Sequence, residues 1–169
     1  MGMYGLWLRV SPAELERAKS DLDWAYELAD EAVVSEKDSD ISERRSFGTD
    51  KAWHALSFLL DRAEFPVSII RGEEWFVDDL DDPEADWGYG APCYLTPEQV
   101  RQASTALADV SEGDLIRGVD VSELARAEIY PAVWESQAEL DWAVGDLPDI
   151  KTYFASAADA GDAVICWIG

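Results

Sequence analysis

The six residues Ala163 to Ile168 form an unbroken apolar run, rich in β-branched side chains, that begins after the turn signal Gly161-Asp162. A run with no polar face fits a strand buried on both sides at the centre of a sheet. Such a strand needs partners for its backbone groups. The other extended run, Met3 to Val10, lies at the opposite end of the chain and stops at Ser11-Pro12-Ala13-Glu14, an N-cap, a first-turn proline and a capping-box glutamate. The fold predicted is therefore α+β: one domain over residues 1–169, with a small mixed sheet that includes the N- and C-terminal strands and is covered by several helices.

Helical spacing fills most of what lies between. Leu15, Ala18, Leu22, Ala25 and Leu28 keep one face, with a restart predicted at Ser20-Asp21, and residues 35–48 then turn polar and read as a surface loop. Thr49-Asp50 is predicted to cap a helix over Lys51 to Asp61, whose Ala52, Trp53, Leu56, Leu59 and Leu60 share a face. Val67 to Ile70 reads as a short strand. Thr96-Pro97-Glu98-Gln99 is a second capping box, Ser111 and Asp120 look like caps of two shorter helices, and Glu135 to Ala158 reads as helix with a break at Gly145 to Pro148.

Charge removes several function classes. Thirteen Lys and Arg stand against 36 Asp and Glu, a net −23 spread over both halves of the chain, so the basic footprint of a nucleic-acid-binding surface is missing. No apolar stretch approaches the roughly 20 residues of a membrane span, and the N-terminus has no signal-peptide pattern, so a soluble cytoplasmic protein is expected. Cys93 and Cys166 lie far apart with no C-x-x-C spacing and read as buried reduced thiols. The one histidine has no H-E-x-x-H context, and Gly88-Tyr89-Gly90 lacks the third glycine of a phosphate loop, so neither a metal nor a cofactor is predicted.

Two groups of residues stand out as candidate sites. Asp50, His54 and Ser57 fall on one helical stripe, which a polar face with Asp50 as cap explains more simply than a catalytic triad, because no G-x-S-x-G elbow accompanies it. Should a small-ligand pocket exist, its polar end is Asp50 and His54 and its walls are Trp53, Tyr89, Tyr94, Tyr130 and Trp134. The second group is the stretch Glu73 to Asp86, with eight acids and no base in fourteen residues. Its acids do not follow calcium-loop spacing, since Leu80 and Pro83 occupy positions where an EF-hand starting at Asp78 needs a ligand and a glycine. Trp75 and Phe76 either anchor this loop to the core or, with Asp78, Asp79, Asp81 and Asp82, make an aromatic patch rimmed by acid.

A further set of landmarks covers nearly the whole chain: Met1-Gly2-Met3 with Gly5, Asp50-Lys51-Ala52-Trp53-His54 leading to Phe58-Leu59-Leu60, Tyr94 to Val100, Ile129-Tyr130-Pro131, and the closing strand ending at Gly169. In order and spacing they resemble the YfbM-like family, domain of unknown function 1877. The resemblance implies a single α+β bacterial domain and carries over no catalytic residues. The expected function is that of a non-enzymatic acidic protein that binds a basic protein, in an immunity-like or regulatory role, with an enzyme or ligand binder built on His54 and Asp50 as the alternative.

Overall fold

Strand β5 (Ala163–Ile168) lies between β1 (Gly5–Val10) and β4 (Cys93–Leu95), and β2 (Ser46–Asp50) and β3 (Glu74–Trp75) form the two edges, in the order β2-β1-β5-β4-β3. The computed structural model describes residues 2–169; Met1, part of the first landmark, lies outside the described residues. The terminal strands pair as the sequence predicts, from Gly5 opposite Ile168 to Val10 opposite Ala163. Every neighbouring pair is antiparallel, so the sheet is not mixed. Direction depends on how the intervening helices return the chain, and a hydrophobic pattern of period two is the same in either sense.

The described residues also form eight α-helices: α1 (Pro12–Ser20), α2 (Leu22–Ser35), α3 (Trp53–Arg62), α4 (Pro97–Ala108), α5 (Glu112–Ile116), α6 (Val121–Arg126), α7 (Gln137–Ala143) and α8 (Leu147–Ala160). The capping boxes at Ser11 and Thr96 form as read, Asp21 restarts the chain into α2, and Ser111 and Asp120 cap α5 and α6. None of the described helices is long and apolar enough to cross a membrane.

Along β5 the side chains alternate between two cores. Val164, Cys166 and Ile168 join Trp7 in the larger one, roofed by α3 to α8, while Ala163, Ile165 and Trp167 join Leu8 and Val10 beneath α1 and α2. Small residues Ala25, Ala29 and Ala32 let α2 lie close to the second face.

Three local expectations are overturned. The segment 35–48, read as a surface loop, holds the last residue of α2, a 3-10 turn at Ile41–Glu43 and the start of β2. Phe47 is buried there beside Trp7 and Tyr153, at ring distances of 6.0 and 5.6 Å, and the Glu36 carboxylate accepts the N–H groups of Arg45 and Ser46. Thr49 and Asp50 end β2 rather than cap a helix; α3 begins at Trp53 with Ala52 as a cap that has no side-chain bond. The hydroxyl of buried Thr49 donates to the Gly5 carbonyl, and a Cβ on Gly5 would stand 2.5 Å from the Trp53 Cβ, so strand and helix meet too closely for any other residue. Val67, Ile69 and Ile70 are buried, but their segment is irregular, because the Ile69 carbonyl is bonded by a side chain, the Trp7 Nε1–H at 2.6 Å, instead of by a ladder.

Trp7→Phe removes that donor and part of a fully buried ring, and is expected to destabilise the protein by about 2–3 kcal/mol in urea unfolding. A loss below about 0.5 kcal/mol, the scatter of ordinary surface substitutions, would show that the 65–72 segment is held by something else.

Candidate functional site

The residues proposed as pocket walls do not come together. Trp53 is buried in the larger core and donates its Nε1–H to the Met3 carbonyl at 3.1 Å, while Tyr94 faces the smaller core, its ring 4.6 Å from Phe76 and covered by Lys19 at 5.4 Å. The sheet stands between them. Trp134 is buried near Trp142 and donates to the Ile129 carbonyl at 2.7 Å, and Tyr89 is 59% exposed. Only Trp53, His54 and Tyr130 cluster: the imidazole stacks on the Trp53 indole at 4.9 Å and 13°, and Tyr130 lies 6.2 Å from that indole.

His54 has a partner that makes its role clear. Its Nδ1 accepts the backbone N–H of Tyr130 at 3.0 Å, and the Tyr130 hydroxyl in turn accepts the Met3 N–H at 3.1 Å. An acceptor nitrogen must be unprotonated. Burial first, and the charge of Arg71 second, hold the imidazole below its ordinary pKa of 6.5, which matches that demand. Asp50 is exposed at a positive φ of 50°, and its charge acts instead on Asp146, whose carboxyl is raised by burial and then by Asp149 and Asp50. His54 is thus a joint between α3 and the 129–134 segment, and with its acceptor nitrogen engaged the Asp50-His54-Ser57 stripe has no general base to offer a serine.

The acidic stretch has a different character. Glu74 and Trp75 pair with Tyr94 and Cys93 as the edge strand, Phe76 tucks against Tyr94, and Trp75 projects with 60% of its surface exposed. Of the two aromatics, one anchors and the other is presented. Beyond them the chain folds on its own carboxylates. Asp79 accepts the Asp81 N–H, Asp82 accepts that of Glu84, and Asp86 accepts those of Gly88 and Gly90 at 2.7 and 3.0 Å. Such Asx turns satisfy backbone donors where helix and sheet do not reach. Trp87 plugs the loop into the smaller core, Ala85 is buried within the loop, and the Tyr89 N–H donates to the Ile168 carbonyl, tying the loop to the central strand. Ion pairs among the described residues involve Glu14, Glu16, Asp114, Glu123 and Asp162, none of them in this stretch.

Sequence reading missed two features here. Asp86 two residues before Gly88 is an Asx-turn signal that the charge run masked. Arg71, stacked 5.1 Å over the Trp53 indole, had no local signal at all. Among the described residues no group of three or more His, Cys, Asp or Glu is placed to hold a metal ion.

A family model described as "Domain of unknown function (DUF1877)" matches residues 1–167. The fold is similar to the crystal structure of YfbM from Escherichia coli, a protein of unknown function, with a TM-score of 0.68 at 17% identity, covering 98% of this chain and 99% of that one. No curated protein matches the sequence.

The His54 joint predicts a pH effect of known sign. The unfolded chain takes up a proton near pH 6.5 that the native state refuses, so the stabilisation is complete above that value and is lost as pH falls toward the lower native pKa. In urea unfolding, His54→Asn keeps an acceptor without titrating, so on acidification through about pH 6.5 wild type is expected to lose stability relative to the variant. Parallel pH profiles would remove His54 from this role.

Proposed function

The chain belongs to the DUF1877 family, and from that premise we propose that it is a non-enzymatic interaction protein that binds a basic protein through the loop at residues 73–90. The observation that carries this reading is the pairing of an exposed tryptophan, Trp75, with a run of carboxylates that, among the described residues, no cation occupies in an ion pair. Exposed aromatic anchors beside single-sign charge are how interfaces join a desolvated contact to long-range steering. Asp78, Asp79 and Asp81, which follow Trp75 along the chain, are exposed, Asp82 is half-buried, and Tyr89 adds a second exposed ring at the far end of the loop. The net −23 gives the whole surface the same sign, so a cationic partner is attracted from any approach. A cytoplasmic setting is part of the proposal, and the two free, buried thiols suit a reducing compartment.

The reading is tested by capturing partners on wild-type protein at low salt, eluting at moderate salt, and repeating the capture with two variants. Trp75→Ala is expected to weaken retention of the basic partner by more than tenfold, as loss of a central aromatic contact of about 2 kcal/mol or more would. The triple variant Asp78→Asn, Asp79→Asn and Asp81→Asn keeps the Asx acceptor and is expected to slow association while reducing its salt dependence. A partner retained equally by wild type and both variants would overturn the assignment of this loop.

A further inference from the structure

We propose that Cys93 and Cys166 form a two-coordinate site for a soft monovalent cation of the copper(I) type. The two cysteines are directly opposite on β4 and β5, a proximity that nothing in their sequence spacing suggests. Their backbone register decides what they can do. Tyr4 and Gly169 exchange both hydrogen bonds, so along β5 the groups of residues 165, 167 and 169 face β1 and those of 164, 166 and 168 face the other side. The Tyr94 carbonyl accepts from Glu73 on the β3 side, which turns Cys93 and Leu95 toward β5. Cys93 and Cys166 are therefore a hydrogen-bonded pair, in which facing Cβ atoms stand about 5.5 Å apart.

That separation exceeds the roughly 3.5–4.5 Å of an unstrained disulfide. It suits a bridging ion: two metal–sulfur bonds of about 2.3 Å end to end span about 4.6 Å between sulfurs. Cys93 and Cys166 both border a cavity of about 240 Å³ whose walls also include Ile70, Arg71, Asp81 and Tyr89. Among the described residues no third His, Cys, Asp or Glu is placed with them to hold a metal ion, so the pair does not make the tetrahedral site zinc requires, whereas two soft sulfurs suit a cation of the copper(I) class.

The charges and protons close as well. Two thiols and one monovalent cation give a dithiolate complex of charge −1 and release two protons. Arg71 on the cavity wall supplies the positive charge the complex needs. Losing the Cys166 S–H does not orphan its acceptor, because the Ile69 carbonyl keeps the Trp7 indole donor. The space above Cys93 is also defined: Gly72, at φ +86°, lies so close that a Cβ there would stand 2.8 Å from the Cys93 Cβ.

The test is an anaerobic titration of the full reduced chain with copper(I) against a chromophoric copper(I) chelator, with zinc(II) in parallel. One equivalent of copper(I) retained against the chelator, no zinc(II) retained, and two sulfur neighbours in X-ray absorption are expected. Cys93→Ser, checked for folding by circular dichroism, is expected to lose more affinity than the roughly 10–100-fold that an outer-shell change costs. Failure of wild type to hold copper(I), undiminished binding by Cys93→Ser, or quantitative formation of a Cys93–Cys166 disulfide with a mild oxidant would each overturn the proposal.

Discussion

All six residues of β5 are buried, and a strand with no solvent face obliges the chain to roof both sides of its sheet. This constraint allots the rest of the molecule. Six helices cover the side bearing Val164, Cys166 and Ile168, and the α1–α2 pair with the Trp87 plug covers the other. Trp7, next to β5, fixes the irregular 65–72 segment through its indole N–H and packs edge-on against Phe154 at 5.2 Å. A carbonyl buried in an apolar layer with no donor would cost about 1–3 kcal/mol, so the indole N–H, with the weaker Cys166 S–H beside it, allows a turn to run where a strand was expected.

A chain carrying −23 must also live with its own repulsion. Much of the acid is used locally. Glu14, Asp114, Glu123 and Glu139 accept backbone N–H groups in capping boxes, and their carboxyls are held below the ordinary range, Glu14 against the opposing effect of burial and with help from Arg45. In the 73–90 loop the same chemistry appears without helices, as Asp79, Asp82 and Asp86 hold their own turns. Acidity therefore builds structure at helix starts and turns, and the carboxylates left over form the outward field.

What could be read from the sequence follows the range of the interactions responsible. The helix starts at Ser11, Asp21, Thr96, Ser111 and Asp120 are set by contacts two to three residues long, and composition alone marks β5 as central. β2 was hidden because its pairing with β1 and the buried Phe47 depend on partners some forty residues away. The Asp50-His54-Ser57 stripe was drawn on a helix that in fact starts at Trp53, after Asp50 has ended a strand. Trp53 and Tyr94 looked like two walls of one pocket because spacing along a chain does not say which face of a sheet a ring will occupy. Conversely, Cys93 and Cys166 looked unrelated until the register set them opposite each other.

The order of the acidic loop bears directly on how it could recognise a partner. A disordered acidic segment would lose backbone freedom on binding, about 1–2 kcal/mol for each residue fixed. Here that cost has already been met in folding: the loop closes on itself through the Ala91 N–H and the Leu80 carbonyl, is tied to β5 at Ile168, and is plugged by Trp87. Trp75 stands on an edge strand and Tyr89 on a tethered turn, so neither ring depends on a partner to set its backbone. Preorganisation of this kind converts contact into affinity with little ordering loss. It also separates the two contributions: the carboxylates act at a distance and are screened by salt within about 10 Å, while the fixed rings act only on contact. A surface built this way associates quickly with any cation and holds on only to one that presents a shape fitting Trp75 and Tyr89, which is why charge and aromatic positions have to be considered together.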